Sequence, residues 1–338
     1  MFIDFRSDTV TTPSAGMLNA MMTAKVGDDV FSEDPSINEL EKITADLFEM
    51  EAAVFCPSGT MTNQIAIKCH TQPGDEVVCD ESSHIYQYEG GGIAFNSSAS
   101  VKLLVGNKGR INADQVKTAI NSEDLYKAKT SLVSLENTSN RGGGSCYDFE
   151  EIKKIKSVCV ENNLKLHLDG ARLFNALIAK NETPQQYGQV FDSISICLSK
   201  GLGCPAGSLL SGKKDFIKKA RRIRKVFGGG MRQGGFLAAA GIYALQNNIE
   251  RLKEDHLHAK QISEAIAEKT FVKEVFPVET NIIIFELNES TTAPALLGKL
   301  KDENIHCFAI SHNQIRLVVH LDVTGEMVAK TIEIINKM

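Results

Sequence analysis

The feature that most constrains this chain is the alternation that begins near residue 37. Short apolar runs recur, AAVF (52–55), EVVC (76–79), VKLLV (101–105), SLVSLE (131–136), LKLHL (164–168) and SISICL (193–198). Between several of them lie helix-period stretches such as INELEKITADLFEM (37–50), SGTMTNQIAIKCH (58–70, opened by Ser58 and Gly59) and DFEEIKKIKSVCVENN (148–163). Runs that are continuously apolar, rather than alternating, are what strands covered on both faces require. The pattern therefore predicts an α/β fold whose mainly parallel sheet is flanked by helices. After a small-residue helix (231–246) and a polar one (250–269), the stretches TNIIIFEL (280–287), IHCFAI (305–310) and QIRLVVH (314–320), with helices near 293–303 and 325–337, predict a smaller α+β unit. The expected division is 1–247, an N-terminal arm with the large unit, and 248–338, the small one. A length of 338 residues suits two domains.

A formal net charge of −5 argues against nucleic acid or an anionic membrane as the main partner, because both reward a basic surface. The eight cysteines are scattered, with no CxxC pair and no zinc spacing, and read as reduced thiols. The opening MFIDFRSDTV has acidic residues where a secretory leader would be basic, and no run approaches a membrane span. The expectation is a cytoplasmic protein acting on a small solute, with no metal: His256 and His258 sit two apart on a helical stretch and do not share a face. GSLLSGK (207–213) nearly spells a phosphate loop, but Lys214 stands where the hydroxyl should be.

Open α/β sheets collect ligands outside the carboxyl ends of their strands. His84 follows EVVC, Glu136 closes SLVSLE, Asp169 closes LKLHL and Lys200 closes SISICL, so these four are expected to face one crevice. An amine and a carboxylate at neighbouring strand ends are what pyridoxal 5'-phosphate requires, the first to condense with its aldehyde and the second to keep its ring nitrogen protonated. Ser58, Gly59 and Thr60 at a helix start offer backbone N–H groups and hydroxyls to a phosphate. The glycines after Lys200 permit close backbone approach. His84 could stack on the ring and act as acid or base, while Arg172 and Arg316 are candidates for clamping a carboxylate.

The stretches FRSDTVTTP, PSGTMTNQ, HIYQYEGGG, LENT, HLDGARLFNA, ICLSKGLGCPAGSLL, FGGGMRQGG and IRLVVH, in this order, resemble the low-specificity L-threonine aldolases, pyridoxal-phosphate enzymes of fold type I. The resemblance implies that Lys200 is the Schiff-base lysine, Asp169 the partner of the pyridine nitrogen and His84 the stacking imidazole. It implies further that Ser7, Arg172 and Arg316 contact the substrate carboxylate, with Arg172 also near the cofactor. Lys225 and Arg232 match positions that reach a neighbouring subunit's site in the family's homotetramer. Where many members carry histidines, this sequence has Tyr126 and Ser139. The implied reaction is retro-aldol cleavage of threonine and allo-threonine to glycine and an aldehyde. The same constellation serves other fold type I enzymes, such as β-eliminating lyases and racemases, and a non-catalytic binding protein is the remaining alternative.

Overall fold

The computed structural model describes residues 1–338. Its largest element is a seven-stranded sheet in the order Ala52–Cys56, Ser208–Gly212, Ser193–Cys197, Lys165–Gly170, Lys129–Glu136, Asp75–Asp80, Ser100–Leu104. Six strands run parallel; Ser208–Gly212 alone is reversed, forming a hairpin with Ser193–Cys197 and an antiparallel pair with Ala52–Cys56. The two hairpin strands are buried at every position, serines included: the Ser195 hydroxyl is paired with that of Thr62, and Ser208 Oγ donates to the Ile196 carbonyl. Ser100–Leu104 departs from that reading: it is the sheet edge, and its pattern is largely exposed, with Lys102 facing outward to discourage further pairing.

Helices cover the sheet, and their starts are written in the sequence. Ser58, Asp148 and Thr183 each cap a helix by accepting a backbone N–H. The expected helix at 231–246 begins only at Gly235, because FGGGMRQGG cannot hold a first turn by itself. Its Gly235 N–H is taken by the Asp34 carboxylate at 2.9 Å, which also caps its own helix at Ile37.

The second unit is a four-stranded antiparallel sheet in the order Phe308–Ala309, Gln314–Val318, Ile282–Leu287, Val272–Val275, packed against the helices Leu252–Ala267, Ala293–Asp302 and Gly325–Lys337. The run IHCFAI, read as one strand, splits around Cys307. Ile305–His306 leaves this sheet to pair in parallel with Ile3–Asp4, so Ile3 and Phe5 of the N-terminal arm sit in the second unit's core. Through Asp8 the arm reaches Arg172, two residues beyond the carboxyl end of the strand Lys165–Gly170. No helix is long and apolar enough to cross a membrane.

Candidate active site

The four strand-end residues converge. His84, Glu89 and Asp169 present ligand atoms within 4.8 Å of one another, and the Lys200 ammonium is near enough to act electrostatically on His84, Asp8 and Cys197. Glu136 lies beneath them: its two oxygens accept the backbone N–H of His84 at 2.7 Å and of Asn140 at 2.8 Å. Burial and the neighbouring Asp169 carboxylate push the Glu136 pKa up to about 6.

A polar relay built from the helix Gly59–His70 holds these groups. Asn63 Nδ2 donates to Asp169 Oδ2 and to Glu89 Oε1, both at 2.9 Å, and its Oδ1 faces His167 Nε2 at 3.1 Å. An amide oxygen only accepts, so His167 Nε2 carries the proton. Its Nδ1 faces Ser193 Oγ at 2.9 Å, and deep burial pushes this histidine's pKa down to about 3, so it is neutral. The two carboxylates facing Asn63 Nδ2 fix which way that amide points. Gln64 Nε2 donates to Glu89 Oε2 at 2.6 Å, and His84 Nδ1 lies 3.0 Å from Glu89 Oε1. His84 therefore donates through Nδ1 and keeps Nε2 as the acceptor. Burial alone would depress its pKa, but the Glu89 hydrogen bond and Asp169 outweigh that and raise it.

The arginines differ. Arg172 is buried with its fork on Asp8, Nε to Oδ2 and Nη2 to Oδ1, each at 2.7 Å. Asp8 occupies the bidentate face that the sequence offers to a substrate, and only the Nη1 side of Arg172 is left. Arg316 has no carboxylate partner. Its Nη1 donates to Asn140 Oδ1 at 2.7 Å and its Nη2 to the Arg6 carbonyl at 3.1 Å, while its buried Nε has no acceptor. Burial, with repulsion from Arg172, pushes its pKa down to about 10. Ser7, between Arg6 and Asp8, caps the turn Asp8–Val10 by accepting from Thr9. The arm thus reaches both arginines, through a carbonyl at one and a carboxylate at the other. Arg316 and His84 line one open cavity of about 370 Å³, together with Tyr88, Asn140, Arg141 and the short strand Phe308–Ala309.

Lys225 and Arg232 are exposed and lie elsewhere. Arg232 pairs with Asp28 at 2.8 Å, and Lys225 borders a separate cleft with Asp29 and Arg221. Tyr126 is 96% exposed on the loop after residue 120, and buried Ser139 closes a tight turn, its Oγ accepting from Gly142. Neither lines the cavity. Sequence reasoning missed Asp8, Asn63, Glu89 and Arg141. The clue available for Glu89 was an acid ending an amphipathic turn just before three glycines.

The residues present fit pyridoxal phosphate. Asp169 is 3% exposed yet is in no ion pair, its oxygens accepting only from the Asn63 amide and the Ala171 N–H. A buried carboxylate without a cation is costly and calls for a positive partner such as a protonated ring nitrogen. Lys200, likewise, is in no ion pair. At the helix start Met61 N–H is taken by Ser58 Oγ and Thr62 N–H by the Ser58 carbonyl, which leaves those of Gly59 and Thr60 for an anion. A Cβ on Gly59 would stand 2.5 Å from Cys197 Sγ, so the cradle has no spare room.

Comparison with known proteins agrees with this geometry. The beta-eliminating lyase family profile matches residues 4–290. The low specificity L-threonine aldolase of Escherichia coli (strain K12) is 44% identical over 329 residues, 97% of this chain and 96% of the relative. The low-specificity L-threonine aldolase 1 of Arabidopsis thaliana is 38% identical over 98% of this chain and 94% of its own length. Among solved structures, the threonine aldolase of Leishmania major superposes with a TM-score of 0.86 at 21% identity over 99% of both chains, a likeness of fold. A serine palmitoyltransferase of Sphingomonas wittichii gives 0.77 at 14%, covering 99% of this chain and 86% of its own. With its strand-end lysine, its unpaired buried aspartate and relatives matched over nearly their whole length, the chain belongs to the low-specificity L-threonine aldolases, within the beta-eliminating lyase family.

Proposed function

We propose that this chain is a pyridoxal-phosphate-dependent carbon–carbon lyase that cleaves L-threonine and L-allo-threonine, and other β-hydroxy-α-amino acids, to glycine and an aldehyde. The observation that carries the reading is the pair of buried or half-buried charges in no ion pair, Lys200 and Asp169, both near enough for their charges to act on His84. When bound, the cofactor supplies an electron sink for the pair released from the breaking Cα–Cβ bond.

The remaining work falls to side chains. Lys200 would hold the cofactor's aldehyde carbon, Asp169 its ring nitrogen, and Ser58, Gly59 and Thr60 its phosphate. Arg316 would clamp the substrate carboxylate, with Ser7 and the free side of Arg172 beside it, and so set which bond at Cα is oriented for cleavage. His84 Nε2 receives the β-hydroxyl proton, directly or through one water, because Glu89 occupies Nδ1. Lys225 and Arg232, exposed and remote from this chain's crevice, serve the site of a neighbouring copy in a homotetramer. The protein works in the cytoplasm, in threonine breakdown and glycine formation.

The deciding experiment is a panel of β-hydroxy amino acids, each with its diastereomer, assayed for glycine and aldehyde. Ammonia with a keto acid would identify a β-eliminating lyase, and the enantiomer alone a racemase. Lys200→Ala must abolish the visible absorbance of the bound cofactor. A retained band would remove Lys200 from its role.

A further inference from the structure

The cavity that contains Arg316 holds a second guanidinium and no acid. Arg141 lines it together with the short strand Phe308–Ala309, and neither an aspartate nor a glutamate shares the lining. Arg141 Nε donates to the Tyr88 hydroxyl, its guanidinium carbon stands 5.1 Å from the Tyr88 ring centroid, and its Nη1 is 3.5 Å from the Ile310 carbonyl, the outer limit of a hydrogen bond. The ring and the phenol hold the planar fork in place without neutralising it. Arg141 is also among the charges that repel Arg316. Two cations lining one cavity, with only neutral partners, leave positive potential for more than one anionic group.

The α-carboxylate of any amino-acid substrate satisfies one of them. On the reading of the site as an aldolase, Arg316 takes that group, having the orphaned buried Nε. Arg141 remains. We propose that Arg141 receives a second carboxylate on the substrate's β-carbon, so that the site accepts β-hydroxy-α-amino dicarboxylates, of which 3-hydroxyaspartate is the smallest. The chemistry balances without an added oxidant or reductant. The β-hydroxyl loses its proton to the base, the Cα–Cβ bond breaks, the β-carbon leaves as the aldehyde carbon of glyoxylate, and Cα gains one proton to become glycine.

The test uses the cofactor-loaded enzyme, with L-threonine and the L-3-hydroxyaspartate diastereomers as substrates and glycine release as the readout. Wild type should cleave at least one hydroxyaspartate diastereomer, with glyoxylate in equal amount. Arg141→Met should lower the ratio of its kcat/KM to that of threonine by about tenfold or more, mainly through KM, since a charge-assisted contact is lost. Arg141→Gln should lower the same ratio and serves as the second variant if the first does not fold. A ratio unchanged in both variants overturns the proposal, as does wild type that releases glycine from threonine but not from hydroxyaspartate. Wild type that releases glycine from no substrate would instead sink the aldolase reading itself.

Discussion

His84 Nδ1 lies 3.0 Å from Glu89 Oε1, and the Glu89 side chain has no exposed surface. A buried carboxylate on that nitrogen fixes the tautomer and favours the imidazolium, which is why the His84 pKa is raised despite burial. If neutral His84 is the base, activity rises as this imidazole loses its proton. Glu89→Gln removes the favouring charge, so the acid-side limb of the kcat/KM profile moves to lower pH. His84→Asn should lower kcat by about 10² or more. A limb that stays in place in the first variant, or a normal rate in the second, takes His84 out of the proton transfer.

The Asp8–Arg172 pair makes a stability prediction. Burial would raise the Asp8 pKa, but Arg172, helped by Lys200, holds it below the usual carboxylate range. Asp8→Ala strands a guanidinium that is buried and fully desolvated, at a cost of about 3–5 kcal/mol. Asp8→Leu combined with Arg172→Met should recover a large part of that loss, because the uncompensated charge is gone. Urea unfolding of the three chains decides it, and a single variant as stable as wild type would show that water reaches Arg172.

Glu136 predicts a pH dependence of the opposite sign to an ordinary acid. Its folded pKa, about 6, stands above the 4.5 of an ordinary glutamate. Its contribution is therefore full below pH 4.5 and is lost as pH rises through 6. Glu136→Gln does not titrate. Wild type should gain on this variant by about 1 kcal/mol between pH 7 and pH 5, the part of the shift that titrates in that window, as one pKa unit is worth about 1.4 kcal/mol. Parallel urea curves at both pH values test it, and a constant difference would mean that Glu136 titrates normally.

Part of this site is legible in the sequence for a physical reason. A strand covered on both faces must be a continuous apolar run, so the polar residue that ends it is marked, and His84, Glu136, Asp169 and Lys200 are all found in that way. Asn63 and Glu89 carry no such mark. Asn63 sits one turn into an ordinary helix, where the same residue would as readily face water, and only the packing of that helix on Asp169 and His167 makes it a relay. Asp8 is hidden for another reason. It meets Arg172 only because the arm pairs with Ile305–His306, a register of two residues that no pattern announces. Arg316 is the intermediate case, since an arginine in an apolar strand must have a purpose, but whether its partner is internal or a ligand depends on three-dimensional neighbours.

Gly59 offers a test of the phosphate cradle that leaves the reacting groups alone. Its backbone dihedrals are ordinary, so what matters is space: an added Cβ would meet Cys197 Sγ at 2.5 Å, and Cys197, 8% exposed, cannot swing away. Gly59→Ala must therefore push the helix start off the strand end, which misplaces the free N–H groups of Gly59 and Thr60. Pyridoxal phosphate should bind about tenfold more weakly or worse, some 1.4 kcal/mol. Cys197→Ala in the same chain removes the obstructing sulfur and should return part of the affinity, since the clash and not the methyl group's chemistry is the cause. Titration of each variant with the cofactor, followed by visible absorbance, separates the outcomes. Wild-type affinity in Gly59→Ala would show that the helix start does not hold the phosphate, and no recovery in the double variant would show that Cys197 is not the wall.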